Sequence, residues 1–310
     1  MGYRMETAGA ALARTTEVRR VLWLVLALNL AVAAAKLCYG LFIESVSMQA
    51  DGFHSLFDGT SNVVGLVGMG LAARPADRDH PYGHGKYEAY ASAAIGAMLL
   101  AAAWKIGTDA VGKLVGGGLV APRVDAPAFA VMLVTLLVNL FVSWYERRRG
   151  RALQSDILVA DAAHTGSDIL VSCGVILGLI CVKLGLPRAD PIIALLVVAA
   201  ILWAAWGVFV RVNLVFSDSA ALPVAGVCAL VEQVDGVMGC HSVRTRGTTA
   251  QVYVDLHVQV DPALTVAAGH AIAEAVEKAV CEGIPGVIDV IAHLEPWDEY
   301  QRRKTRDEGV

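Results

Sequence analysis

Apolar residues in this chain are gathered into six blocks, at 20–43, 49–73, 88–115, 125–146, 156–184 and 189–215. Each block, at roughly 20 to 28 residues, is long enough to cross a bilayer as a helix. Soluble helices rarely stay apolar on every face for this length, so the pattern predicts a six-helix transmembrane bundle over 19–216, after an arm at 1–18. From Asp218 onward the texture changes. Val252, Val254, Leu256, Val258 and Val260 alternate with polar residues, the signature of a half-buried strand. Residues 241–246 predict a partner strand, with Gly247, Thr248 and Thr249 as the turn. A short helix at 222–234, an amphipathic helix at 265–281 after Pro262 and a last strand at 287–294 complete the order α-β-β-α-β. That order defines a small α+β domain over 217–297, followed at 298–310 by a charged tail of disordered composition.

Composition agrees with the pattern. Hydrophobic residues make up 56% of the 310 and charged residues 17%, below the quarter or so usual in soluble domains. Basic residues set the orientation. Arg4, Arg14, Arg19 and Arg20 stand before or at the start of the first block, Arg74, Arg78 and Lys86 follow the second, and Arg147, Arg148, Arg149 and Arg151 follow the fourth. The link between the first two blocks has none, and the other two links have only Arg123 and then Lys183 and Arg188. By the positive-inside rule both termini and the α+β domain are expected in the cytoplasm. The first apolar block is too long for a signal-peptide core, and no small-residue cleavage site follows it. The six cysteines form no CxxC pair and are expected to be reduced, structural thiols. No basic patch with interleaved aromatics points to nucleic acid.

Chemistry enters where lipid should forbid it. The second block holds Asp51, His54 and Asp58, and the fifth repeats the spacing with Asp161, His164 and Asp168. Positions i, i+3 and i+7 share a helix face. A carboxylate at the bilayer centre costs about 2.5–3.5 kcal/mol on insertion scales, so two matched His/Asp pairs require a function. If the two faces meet, His54, Asp58, His164 and Asp168 supply two imidazole nitrogens and two carboxylates, a set suited to tetrahedral Zn²⁺. The alternative is a hydrogen-bonded cluster without metal. The same ligands bind protons, so the site couples the two ions. Asp51 and Asp161 are open to second-shell hydrogen bonding, proton uptake or a place at the mouth of the site. The loop after the second block offers Asp77, His80 and His84, with Asp79 and Glu88 nearby and Pro81 and two glycines shaping it. The C-terminal domain offers His241, His257, His270, His293 and Glu295. His257 falls on the face opposite the valines, so it is not a core residue.

The two HxxxD pairs, the loop PADRDHPYGHGKYE and a C-terminal α+β domain ending in IAHLEP resemble the cation diffusion facilitator family, over about 18–296. The likeness is strongest to bacterial zinc and ferrous-iron efflux transporters. It implies a homodimer in the lipid bilayer of a bacterial inner membrane, exchanging divalent metal ions for protons through six helices per subunit. The C-terminal domain would be metallochaperone-like. It also implies a transport site at His54, Asp58, His164 and Asp168, a loop site at Asp77, His80 and His84, and a cytoplasmic site at His241, His257, His270, His293 and Glu295. Bacterial relatives often carry Asp where this chain has His54, and the histidine favours Zn²⁺ over Fe²⁺, Cd²⁺ or Mn²⁺. Glu295 stands where a relative has Asp, and Lys86 with Asp218 resembles an interlock between subunits. The expected function is proton-coupled export of Zn²⁺, not enzyme chemistry. A membrane metalloenzyme is disfavoured because no HExxH motif is present and four ligands leave no open position. A metal-responsive scaffold that does not transport would have no need of intramembrane charge.

Overall fold

The computed structural model describes residues 2–42, 56, 59–116, 126–183, 189–248 and 250–299. The chain divides into two compact units, Leu12–Val212 and Met1–Ala11 with Asn213–Val310. Helices α1 (Gly2–Phe42), α2 (Thr60–Ala72), α3 (Tyr87–Gly116), α4 (Ala126–Ala152), α5 (Asp156–Lys183) and α6 (Ala189–Phe216) supply the helical part. The expected arm at 1–18 is continuous with α1. Among the described residues, three stretches are long and apolar enough to span a membrane by length and composition: Ala13–Cys38, Tyr87–Gly112 and Pro191–Phe216. Helices α4 and α5 have 27 and 28 residues, or about 40 Å at the helical rise. The expected second span is described only as α2 and Leu56, and Asp51, His54 and Asp58 lie outside the described residues.

The helical unit is apolar inside and out. Leu22, Val25, Met69, Ile95, Leu99, Ile157, Leu158 and Ile201 form its interior, while Trp104, Trp203 and Trp206 are exposed. Lipid is as apolar as the core, so close packing and polar contacts hold the helices together. Gly68 of α2 lies so close to α3 that a Cβ there would overlap the Ala91 Cβ. A polar clamp closes one end. Arg14 donates to both Glu88 carboxylate oxygens at 3.0 and 3.1 Å, and to the Leu153 and Gln154 carbonyls at 2.7 Å each. Ser155 Oγ donates to Glu88 at 2.7 Å. The clamp ties α1 and α3 to the turn of the α4–α5 hairpin.

The second unit holds α7 (Val224–Val231), β1 (Gly239–Thr248), β2 (Gln251–Val260), α8 (Val266–Gly283) and β3 (Val287–Pro296). The strands lie in the order β1-β2-β3, β1 antiparallel and β3 parallel to β2. A parallel neighbour needs a crossover, which α8 provides, its N-terminus capped by the Thr265 hydroxyl accepting from the Ala268 N–H at 3.2 Å. The alternating valines of β2 pack with Val227 and Val231 of α7 and Val276 and Val280 of α8. The element order is the expected one. β1 runs through Thr248, which shortens the expected turn. The expectation of reduced thiols is corrected at one pair: Cys228 and Cys240 form a disulfide. The packing of α7 beside β1 brings their Cα atoms to 5.5 Å, inside the span a disulfide bridges. Sequence spacing cannot reveal such a pairing between a helix and a strand.

Replacing Gly68 with Val is expected to force α2 away from α3 and to destabilise the helical unit by about 1–3 kcal/mol. A lower Tm of the full-length protein in detergent is the readout, and an unchanged Tm would contradict the close approach.

Candidate metal centres

In the helical unit the structure describes half of the expected transport set. His164 and Asp168 sit one turn apart on α5. His164 is only 7% exposed, and among the described residues neither ring nitrogen has a hydrogen-bond partner. An unpaired buried polar group costs free energy unless something satisfies it. The ring thus stands open to a partner that the described residues do not supply. Asp168 is half-buried, and the Ser167 hydroxyl lies 3.5 Å from its Oδ1. One turn back, Asp161 is fully buried and accepts a hydrogen bond from the Asn62 side-chain amide. Asn62 in turn accepts from Asn29 at 2.8 Å. Asp161 is thereby held by a polar chain crossing from α1 through α2. The sequence reasoning missed Asn29, Asn62 and Glu146, a fully buried acid on α4. Glu146 directly precedes the basic run 147–149 and reads as the start of a solvated loop. Its signal was its position at the end of an apolar block.

The loop brings its three candidate ligands together. Candidate ligand atoms of Asp77, His80 and His84 all lie within 4.8 Å of one another. Asp77 Oδ1 accepts from the backbone N–H groups of Asp79 and His80 at 3.0 and 2.7 Å, an Asx-type turn. These bonds hold the Asp77 carboxyl below its ordinary value, the His80 backbone N–H contributing most. The carboxylate thus stays ionised and ready for a cation. His84 is buried, and its Nδ1 donates to the Pro75 carbonyl at 3.1 Å. Since a carbonyl only accepts, the proton sits on Nδ1. The lone pair of Nε2 is left facing Asp77 Oδ2, 3.5 Å away, the orientation that second-shell partners give metal-binding histidines. His80 packs against it with the rings tilted by 38° and their centroids 4.3 Å apart. Glu88 is not part of this site; it belongs to the Arg14 clamp.

In the second unit strand register builds the centre. His241 pairs with His257 across β1 and β2, and His257 with His293 across β2 and β3. Three histidines therefore form one row across the sheet. Glu295, two residues beyond His293, shares its face. Its carboxylate takes His241 Nε2 at 2.8 Å and His257 Nδ1 at 2.9 Å, with His293 Nε2 at 4.0 Å. His241, His257 and Glu295 present ligand atoms within 4.8 Å of one another. His293 is exposed beside them. His270 is not in this group: it is exposed on α8, with Nε2 3.5 Å from Glu274. Burial raises the Glu295 carboxyl, but the hydrogen bond from His241 and the charges of His257 and His241 outweigh it. The net result lies below the ordinary 4.5. A dication would take the place of the protons that now bridge the histidines and the carboxylate.

The architecture and its metal-ready clusters define a membrane-embedded cation carrier with a ligand-binding domain attached. Residues 22–214 match the cation efflux transmembrane domain, and 223–297 match the cation efflux protein cytoplasmic domain. The chain belongs to the cation diffusion facilitator family of divalent metal efflux proteins. It is 30% identical to the uncharacterized transporter MJ0449 of Methanocaldococcus jannaschii, over 91% of this chain and 99% of that protein. Metal tolerance protein 2 of Oryza sativa subsp. japonica is 30% identical, over 89% and 77%. The manganese efflux system protein MneS of Bacillus subtilis is 26% identical, over 88% and 94%.

Glu295→Gln is expected to weaken Zn²⁺ binding at the sheet more than tenfold, as titration of the full-length protein would read. The depressed Glu295 carboxyl also contributes stability that is present above the unfolded carboxylate value and lost as pH falls through the lower folded value. Thermal unfolding of the ion-free protein in acid should show this loss in the wild type and lack it in the variant; identical acid profiles would contradict the pairing.

Proposed function

We propose that this protein is a proton-coupled antiporter that exports Zn²⁺ from the cytoplasm as a homodimer. The reading rests above all on His164, buried in an apolar bundle with both ring nitrogens unpaired among the described residues and Asp168 one turn along α5. Such a pair has little structural use and an evident ionic one. With His54 and Asp58 it forms the transport site, and two histidines in that set favour zinc over harder cations. Metal entering from the cytoplasm displaces protons from these ligands. The bundle then rocks, and outside protons compete for His54 and His164 and expel the metal. Differential affinity between the two states drives the cycle.

The other two clusters support the transport site. The loop ligands Asp77, His80 and His84 take metal at the cytoplasmic side, and the sheet site holds the cytoplasmic domains of two subunits together when metal is plentiful. Lys86 and Asp218 serve as an interlock between subunits, with both termini in the cytoplasm. The plasma membrane is the proposed location.

Purified protein in proteoliposomes under an imposed pH gradient provides the test, with Zn²⁺, Mn²⁺, Fe²⁺ and Cd²⁺ compared. Gradient-driven Zn²⁺ movement is expected, falling to the level of protein-free vesicles in Asp168→Ala. Faster Mn²⁺ than Zn²⁺ movement would overturn the choice of metal. Absence of flux for every metal, with binding intact, would leave a metal-responsive scaffold.

A further inference from the structure

Glu146 on α4 and Asp161 on α5 have no solvent exposure, and Thr165, whose hydroxyl donates to Glu146, stands one turn after Asp161 on the same face of α5. Two neighbouring buried carboxylates repel each other unless a proton stands between them. Around the pair, Thr165 Oγ1 donates to Glu146 Oε2 at 3.4 Å, and Asn62 donates to Asp161 Oδ2. Each acid keeps one further buried oxygen, Glu146 Oε1 and Asp161 Oδ1, that no donor among the described residues reaches. Among the described residues no Lys, Arg or His is paired with either carboxyl. From α3, Glu88 is taken up by Arg14. From α4, Arg149 is paired with Glu17 of α1. His164 is buried one turn from Asp161 on α5, and Lys36 of α1 is buried as well. Two adjacent, uncompensated charges in an apolar interior are strongly disfavoured. One shared proton neutralises one carboxyl and supplies the missing donor.

We propose that Glu146 and Asp161 form a proton-binding site, holding one shared proton when the transport site is empty and releasing it when a divalent metal binds there. The inference rests on the proposed transport site at His164 and Asp168. Asp161 stands three residues before His164, about 4.5 Å along the helix axis, so a dication bound to His164 sits within strong Coulombic range of the pair. The positive charge favours the doubly ionised state. One metal ion enters, one proton leaves the pair without the pair ligating the metal, and both carboxylates remain ionised. Departure of the metal restores the proton. The pair lies within two turns of the hairpin end at 152–156. That end carries the basic run expected to face the cytoplasm, so the proton is discharged on that side. The stoichiometry of exchange would then exceed what the metal ligands alone provide.

The test counts protons. Full-length protein in detergent is titrated with Zn²⁺ in weakly buffered solution, with a pH-indicating dye, beside Glu146→Gln and Asp161→Asn. Glu146→Gln is expected to bind the same number of Zn²⁺ ions while releasing about one fewer proton per chain, and the difference should vanish in an Asp168→Ala background. An unchanged proton count would overturn the proposal, as would the loss of one bound Zn²⁺ in Glu146→Gln, which would make the acid a metal ligand. Infrared spectra of the metal-free protein give a second reading. The band of a protonated carboxyl should be present in the wild type and absent from either variant that folds; its absence from the wild type would overturn the proposal. Neither measurement needs transport, so wild-type protein that moves no metal would sink the antiporter while leaving the proton site to be judged on these results.

Discussion

The cost of placing charge inside an apolar bundle governs this molecule. Helices packed by Gly68 against Ala91 and by a core of aliphatic side chains offer no water to a carboxylate. Every ionisable group in the interior must be paired, protonated or supplied with an ion. The structure displays each solution separately. Glu88 is paired with Arg14 and further bonded by Ser155. Asp161 is anchored by Asn62 and Asn29. His164 is left open. An unpaired group among well-satisfied neighbours is informative because the same fold satisfies the others.

Outside the bundle the physics changes and the same ligand types are assembled differently. In the loop, one aspartate is fixed by backbone N–H groups, and a buried histidine is oriented by the Pro75 carbonyl. In the sheet, register alone aligns His241, His257 and His293, and a single glutamate joins two of them. A helix brings ligands together at a spacing of one turn, whereas a sheet does so across strands distant in sequence. The two modes respond differently to perturbation: a slip of one residue in β2 would turn His257 to the core face and dismantle the row.

This difference explains what could be read from the chain. Helical spacing made His164 and Asp168 visible as a repeat of His54 and Asp58, and hydropathy outlined the blocks that became α1, α3 and α6. The alternation of valines located β2 and the face of His257. Register was not readable. His270 has the same composition signal as His293, yet α8 carries it outward to Glu274 while β3 places His293 beside Glu295. Glu146 escaped notice because it borders a basic run, although the hairpin buries it completely. The Cys228–Cys240 pairing likewise depends on how α7 lies along β1, a tertiary fact without local signature.

The three clusters share a common chemical logic despite their different construction. In each, a carboxylate stands beside an imidazole, and the protons they hold occupy the places a dication would take. Binding is then necessarily an exchange: metal affinity falls as proton activity rises. At the loop and the sheet, exposed members such as Asp77, His80 and His293 would keep such an exchange open to solvent, and it would store no work. Inside the bundle, where the Glu146–Asp161 pair and His164 are cut off from water, the side from which protons return decides whether the exchange is idle or vectorial. Burial thus has a functional consequence beyond its cost. On the proposed antiport reading, it is what would let a proton gradient set the direction of an otherwise ordinary pH-dependent metal site.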